Sequence, residues 1–287
     1  MVLWFKQFGS RLQQQLNFWS GTAGAAGVVL TLAGLGVSNP AKKILIGLGV
    51  VVFVIVLAVC VVKAWPPPMD DPVKLVGRPL QIADLDRIHP RVPAVGIVGP
   101  AGVGKSTLKR RLLLQPAPAK RERSYSVTAH IGPVIPEPLT YIALLDGRGD
   151  SYDHQFDIAD KADIIIMMLD DSDLDSGPII DEVRMKDQRE FGEQIRDRLT
   201  NKLHRVPRIH IILNKKDRWE TGTEEEQKTL REFFKAEVRK WETAYGNEVT
   251  NAQHSNASAQ DMTNMVAEIK EHWRRAQEIT KKAMVKA

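Results

Sequence analysis

Residues 99–106 carry the clearest chemical pattern in the chain. They read Gly-Pro-Ala-Gly-Val-Gly-Lys-Ser, which satisfies G-x-x-x-x-G-K-[ST], and they stand between a strand-like run and a helix-like run. Glycines let a backbone wrap closely, so that consecutive amides and the following helix N-terminus point at phosphate oxygens. Lys105 would reach the outer phosphates, and Ser106 would offer its hydroxyl to Mg²⁺. The pattern predicts a phosphate-binding loop without choosing the base or the reaction.

Two later motifs stand where strands are expected to end. Asp146-Gly-Arg-Gly149 offers a carboxylate for a Mg²⁺-bound water and a glycine amide for a γ-phosphate. Asn214-Lys-Lys-Asp217 offers a carboxylate that can accept hydrogen bonds from both the N1–H and the 2-amino group of guanine, whereas adenine has neither donor. Because each unpaired buried polar atom costs about 1–3 kcal/mol, this motif favours guanine over adenine. Lys215 would lay its methylene stem over the base, and Asn214 would tie its strand end to the phosphate loop.

With these motifs in this order, the chain resembles Ras-like or Era-like GTPases of the translation-factor-related P-loop class, over about Ala94 to Lys282. The resemblance implies GTP and GDP as ligands, Mg²⁺ as cofactor and a nucleotide-dependent switch. It also implies a Ser-Ala-Lys loop beside the guanine, for which Ser258-Ala259-Gln260 is the candidate, with Ser255-Asn256-Ala257 as a competing alignment. A switch threonine that closes on Mg²⁺ is assigned to Thr128, with Ser124 and Ser126 as rivals.

The predicted site falls into three overlapping groups. Lys105, Thr128 and Gly149 are the catalytic candidates, and Ser106, Thr128 and Asp146 are the metal candidates. The nucleotide-binding candidates are Gly99, Ala101, Gly102, Val103, Gly104, Lys105, Ser106, Thr107, Asp146, Gly149, Asn214, Lys215, Asp217, Ser258, Ala259 and Gln260.

One residue departs from the pattern of this class. Ras-like members place a glutamine directly after D-x-x-G, and translation factors place a histidine, whereas this chain has Asp150. An anionic side chain would repel a γ-phosphate. We therefore expect slow GTP hydrolysis, unless Arg148, His154, Gln155 or a partner protein supplies the missing group.

Alternating strand-like and helix-like runs from Ala94 onward must position these motifs. Four nearly continuous apolar runs, Ala94–Val98, Thr140–Leu145, Asp163–Leu169 and Arg208–Leu213, are typical of parallel strands covered on both faces. Helical patterns cover Lys105–Gln115, Asp187–His204, Glu224–Tyr245 and Asp261–Lys282. This alternation predicts an α/β G domain over 93–287 with a mostly parallel, six-stranded sheet.

The N-terminal part of the chain is far more apolar. No charged residue occurs over Leu12–Ala41 or Ile44–Val62, which predicts a transmembrane hairpin over 18–65, with spans at about 18–37 and 44–64. Residues 1–17 fit an amphipathic segment. Trp65-Pro-Pro-Pro68 opens a Pro-rich tether over 66–92, or alternatively a strap packed on the next domain. The expected location is a membrane, with the lipid bilayer as a partner and the G domain facing the cytoplasm.

Composition limits the remaining function classes. A net charge of +5 over 287 residues is modest and mixed along the chain, so no nucleic-acid partner is expected. The single cysteine excludes a cysteine-rich zinc module, and the seven histidines show no metal-ligand spacing. The expected function is a membrane-anchored GTPase switch with effector and regulatory proteins. The alternatives are a GTP- or GDP-binding membrane scaffold that does not hydrolyse GTP, and a membrane-remodelling GTPase.

Overall fold

The computed structural model describes residues 8–9, 12–13, 54–64, 70–115, 126–136, 139–171, 179–202 and 207–286. The chain divides into two compact units, Met1–Pro68 and Met69–Ala287. In the first unit, residues 54–64 form a helix. The second unit contains the sheet and the predicted motifs.

The transmembrane hairpin of the predicted fold is wrong. Within the described ranges, no helix has both the length and the apolar content needed to cross a bilayer. A span requires an uninterrupted apolar helix of about 20 residues. The membrane localisation that was drawn from the hairpin is corrected with it. Residues 18–53, which include the first predicted span and the start of the second, lie outside the described residues.

The second unit is an α/β domain with a mixed sheet, which fits the predicted G domain. Its strands are β1 (Pro79–Leu80), β2 (Ala94–Val98), β3 (Thr128–Pro136), β4 (Leu139–Asp146), β5 (Ile164–Leu169), β6 (Arg208–Leu213) and β7 (Val249–Gln253). Its α-helices are α1 (Pro72–Leu75), α2 (Lys105–Leu112), α3 (Tyr152–Lys161), α4 (Glu182–Lys202), α5 (Lys216–Trp219), α6 (Glu224–Tyr245) and α7 (Ala259–Lys286). Short 3₁₀ turns occupy Ile82–Arg87 and Gly246–Glu248.

The strands form a seven-stranded sheet in the order β1-β3-β4-β2-β5-β6-β7. Strands β4, β2, β5, β6 and β7 are parallel to one another, while β3 is antiparallel to both β4 and β1. The seventh strand, which the sequence did not predict, is the two-residue β1 on the outer edge of β3. The phosphate loop and Asn214 follow the carboxyl ends of parallel strands and Asp146 is the last residue of one, so all three meet at one edge of the sheet.

Helices cover both faces of the sheet, as the continuous apolar strands require. One face packs against α3, α4 and α6, and the other packs against α2 and α7. Alternate residues of β6 divide between the two layers, with Ile211 in the first and Ile212 in the second. Thr223 begins α6 with a capping box, in which its side chain and that of Glu226 each bond the other's backbone amide.

Residues 70–92 lie on the sheet domain. Ile88 and Val92 are buried against Ile131 of β3 and Ala143 of β4. Leu80 and Leu85 pack beside them and also contact the larger core. The described part of this segment thus contributes one edge strand and a small apolar cluster to the domain.

Candidate functional site

The phosphate loop links fully buried β2 to α2 and adopts backbone angles that only glycine takes without strain. Gly102 and Gly104 have φ values of 82° and 97°. A Cβ on Gly104 would also lie 2.6 Å from Asn214 Nδ2 and 2.9 Å from Asn256 Nδ2. Both later loops therefore come close to the phosphate loop at this glycine. Ser106 and Thr107 are exposed in the first turn of α2, and Val103 is buried beneath the loop.

The Lys105 ammonium folds back over its own loop. Its Nζ donates hydrogen bonds to the Gly99 carbonyl at 2.7 Å and to the Pro100 carbonyl at 2.8 Å, and the residue is 6% exposed. Burial lowers the pKa of Lys105 to about 8, with Asp146 opposing the shift and Arg184 reinforcing it. An anion seated in the loop would favour the charged form of this lysine, so the loop is suited to phosphate.

Asp146 ends β4 and is 2% exposed. Its Oδ2 lies 2.7 Å from the Nζ of Lys109, one helical turn after Lys105. In the β3–β4 ladder Thr128 is directly opposite Asp146, and the Thr128 hydroxyl lies 3.3 Å from His130 Nε2. Thr128 is thus the first residue of a strand. Its rival Ser126 is exposed just before that strand, and Ser124 lies outside the described residues.

Ser106, Thr128 and Asp146 carry oxygen ligands of the kind that suits a magnesium ion. Ser106 precedes Lys109 by three residues on α2, so the two share the helix face that meets Asp146. A carboxylate and hydroxyls are ligands that Mg²⁺ accepts. Lys109, which the sequence analysis did not single out, is a competitor, because its ammonium already neutralises the carboxylate.

Gly149 approaches the phosphate loop closely. A Cβ on it would lie 2.7 Å from the amide nitrogen of Ala101 and would also collide with the Lys105 ammonium. The neighbouring Arg148 and Asp150 form a two-bond ion pair at 2.8 and 2.7 Å. Position 149 therefore has no room for a side chain.

Gln155 joins the phosphate loop to the segment after β4. It is fully buried, accepts a hydrogen bond from the Gly99 amide at 3.1 Å, and donates one to the Arg148 carbonyl at 2.8 Å. His154 borders a surface groove together with Thr128 and Asp157. The Gln155 amide is thus engaged at both ends, whereas the buried Nδ1 of His154 has no hydrogen-bond partner among the described residues.

The loop after β6 contacts the phosphate loop directly. Asn214 Nδ2 donates to the Val103 carbonyl at 2.8 Å, and Lys215 adopts a left-handed backbone with a φ of 58°. The Lys215 ammonium lies 3.0 Å from Asp170 Oδ2. The Asp217 carboxylate accepts a 2.5 Å hydrogen bond from the Ser255 hydroxyl.

Of the two candidate serine loops, the structure brings residues 255–257 to Asp217. Asn256 Nδ2 donates to the Gly104 carbonyl at 3.2 Å, and the Ala257 amide donates to Ser255 Oγ at 3.1 Å. Ser258 instead caps α7, its Oγ accepting from the Asp261 amide at 3.1 Å, while Ala259 and Gln260 are exposed in the first turn of that helix. The local sequence could not distinguish the two candidate loops, because both triplets lie at the N-terminal end of the same helix.

A buried ionic cluster behind the loops carries no motif and was missed by sequence reasoning. Asp170, fully buried, accepts hydrogen bonds from Arg184 Nε at 2.8 Å and from Gln188 Nε2 at 2.9 Å. A second nitrogen of Arg184 donates to the Ala101 carbonyl at 2.8 Å. Since Lys215 also pairs with Asp170, this cluster connects the tip of the phosphate loop to the loop after β6.

No family model matches this chain, and no curated protein does. Among solved structures, it is similar to the bacterial selenocysteine-specific elongation factor EF-Sec, at 15% identity and a TM-score of 0.46 over 64% of this chain and 29% of that one. It is also similar to the mammalian SRP receptor, at 20% identity and a TM-score of 0.47 over 62% of this chain and 99% of that one. The chain therefore spans less than a third of the elongation factor's length. At these scores neither likeness carries a functional conclusion, and the chain's own fold and loops define it as a P-loop α/β domain.

Proposed function

We propose that the chain is a GTP-binding switch that hydrolyses GTP to GDP slowly. The observation that carries the proposal is the meeting of three separated motifs at one sheet edge. Asn214 bonds Val103, Gly149 lies against Lys105 and Ala101, and the loop that bonds Asp217 also bonds Gly104. A single nucleoside triphosphate is the ligand whose base and phosphates would span these loops.

Guanine selection is assigned to Asp217. The Ser255 hydroxyl occupies one oxygen of its carboxylate at 2.5 Å and so fixes the orientation of the group. The carboxylate would accept from guanine N1–H and the 2-amino group, and the backbone of 255–257 would meet the opposite edge of the base. We therefore assign the base loop to Ser255-Asn256-Ala257 rather than to Ser258-Ala259-Gln260.

Phosphate binding is assigned to residues 99–107, with Lys105 neutralising the outer phosphates. Ser106, Asp146 and Thr128 would hold Mg²⁺, which supplies charge neutralisation to the phosphates when bound. The Gly149 amide would reach the γ-phosphate, because its lack of a side chain lets it lie beside Lys105.

Slow hydrolysis is proposed from the groups that surround the expected position of the attacking water. Asp150 is anionic and held by Arg148, and Gln155 is engaged on both sides of its amide. Neither Asp150 nor Gln155 is therefore available to orient water. A partner protein would supply that group, and a partner that reads the nucleotide state would act as the effector. The same observation favours one alternative, a GTP- or GDP-binding scaffold without hydrolysis.

Nucleotide preference tests the proposal. We expect the purified chain to bind GTP and GDP but not ATP. Asp217→Asn should weaken guanine binding at least tenfold, because an amide cannot accept both guanine donors. Binding of labelled GTP, with ATP and xanthosine triphosphate as competitors, measures the effect, and the variant should gain affinity for xanthine, whose 2-oxo group can accept from the new amide.

Glu220→Gln is the matched control, since it neutralises a partly exposed acid three residues farther on. It should bind like the wild type. Equal affinity of the wild type for GTP and ATP would refute the base assignment. Phosphate release in single-turnover assays, with and without cell extract, separates a slow GTPase from a scaffold that does not hydrolyse GTP.

A further inference from the structure

A polar cluster interrupts the apolar layer between α7 and the sheet. The α7-facing layer contains Ile212 of β6 and Met265 and Ile269 of α7. His210, two residues before Ile212, faces the same layer, and His272 continues the buried face of α7; each is only 2% exposed. Two imidazoles buried among apolar side chains need polar partners.

Hydrogen bonding within the cluster provides only part of what the imidazoles need. The Thr250 hydroxyl, opposite His210 in the β6–β7 ladder, lies 2.7 Å from His210 Nδ1 and 3.0 Å from His272 Nε2. One hydroxyl can donate to only one of these nitrogens. Within the described part of the chain, His272 Nδ1 is buried without a hydrogen-bond partner.

Glu268 adds an anionic ligand at the rim of the cluster. It precedes His272 by one helical turn, its Oε2 lies 3.6 Å from His272 Nε2, and its side chain is 41% exposed. One ligand atom each from His210, Glu268 and His272 lies within 4.8 Å of the other two. Bonds of about 2.0–2.2 Å to a tetrahedral ion place ligand atoms roughly 3.5 Å apart, so movements of about 1 Å would close the site.

The charges around His210, Glu268 and His272 suit a bound cation. Both imidazoles are buried, which favours the neutral form that offers a lone pair to a cation. Two arginines near His272 are themselves paired, Arg208 with Glu248 and Arg275 with Glu271.

We propose that His210, Glu268 and His272 form a binding site for a divalent transition metal, with Zn²⁺ as the expected ion. Two imidazoles and one carboxylate are ligands that Zn²⁺ accepts, and the Thr250 hydroxyl or a water would complete four-coordination. His210 on β6 lies four residues before Asn214, which directly follows that strand, and at about 3.3 Å per residue the two are about 13 Å apart, so the site is separate from the loops that would hold nucleotide. Its role is structural: it ties α7 to the sheet, and α7 begins directly after the 255–257 loop.

Zinc binding to the tag-free, chelator-treated full chain tests the proposal. We expect one Zn²⁺ per chain by titration calorimetry, with micromolar or tighter affinity, a rise in thermal midpoint on adding Zn²⁺, and a tetrahedral visible spectrum with Co²⁺. Glu268→Gln and His272→Gln should each weaken Zn²⁺ binding at least tenfold. His89→Gln, at an exposed histidine, is the matched control and should bind Zn²⁺ like the wild type.

Two results would overturn the site. One is the absence of saturable Zn²⁺ binding to the wild type at micromolar concentrations, and the other is equal binding by the wild type and Glu268→Gln. Because Glu268 is at the rim, that variant keeps the test decisive even if His272→Gln does not fold. The experiment uses no nucleotide, so its result is independent of the proposed GTP binding.

Discussion

Replacing Lys109 by methionine should make nucleotide binding respond to far lower magnesium concentrations. The Lys109 ammonium lies 2.7 Å from Asp146, and the two side chains are only 13% and 3% exposed. In the proposed site, Mg²⁺ and this ammonium compete for the same carboxylate. Lys109→Met keeps most of the stem's apolar packing on α2 but removes the competing charge.

The expected change in Mg²⁺ affinity follows from the burial of the Lys109–Asp146 pair. At an effective dielectric constant of about 20, unit charges about 4 Å apart attract by about 4 kcal/mol, and removing one partner of a buried pair costs about 3–5 kcal/mol. In the wild type, Mg²⁺ displaces the Lys109 ammonium into water, and hydration of the ammonium offsets part of the lost attraction. A remaining difference of about 3 kcal/mol corresponds to roughly a hundredfold tighter Mg²⁺ binding in the variant. Without Mg²⁺, the variant should be less stable than the wild type, because Asp146 loses its partner.

The assay is the dissociation rate of a fluorescent GDP analogue during a Mg²⁺ titration. The Mg²⁺ concentration that gives half-maximal slowing should fall about a hundredfold in Lys109→Met. Lys109→Arg keeps the charge and should behave like the wild type. Lys161→Met removes an exposed lysine 3.8 Å from Asp86 and controls for the loss of a surface charge.

Equal Mg²⁺ midpoints in the wild type and Lys109→Met would refute the competition, as would a higher midpoint in the variant. Thermal unfolding with and without Mg²⁺ gives an independent readout, since the ion should restore most of the variant's lost stability. If the methionine variant does not fold, Lys109→Gln provides a neutral side chain whose amide can still donate to Asp146.

Two further predictions concern groups beside the phosphate loop. Because the pKa of Lys105 is lowered to about 8 and a bound triphosphate would raise it again, GTP affinity should fall about fourfold from about pH 7 to pH 8.5, as measured by equilibrium binding; a flat profile would contradict this. Arg184→Gln removes a buried partner of Asp170 and should lower the free energy of unfolding in urea by about 3–5 kcal/mol. Arg274→Gln, on the exposed side of α7, should change that free energy by less than about 1 kcal/mol, and equal losses in the two variants would contradict the role of the buried cluster.

Several features of the fold could be predicted from local patterns. The four continuous apolar runs are β2, the larger part of β4, β5 and β6, because strands covered on both faces need apolar residues at every position. Strands at or near the edges gave weaker signals. β3 contains a glycine and two prolines, and in β7 only Val249 is buried and only two side chains are apolar. Helix α3 follows a loop motif and was not predicted.

The membrane hairpin was predicted from hydropathy alone, and among the residues that the structure describes no helix combines the length and the apolar content that a bilayer span needs.

The types and order of the motif residues are determined by the amino-acid sequence itself, because a phosphate loop needs glycines at set intervals and a guanine-reading loop needs a carboxylate at a set position. Only the tertiary structure decided that Ser255, and not Ser258, bonds Asp217, and that Lys109 occupies the carboxylate of Asp146. The same holds for the buried group formed by Asp170, Arg184 and Lys215, and for His210 and His272, which lie 62 positions apart. Such contacts join side chains from different strands and helices, and their distances depend on how the helices pack on the sheet, which no local pattern contains.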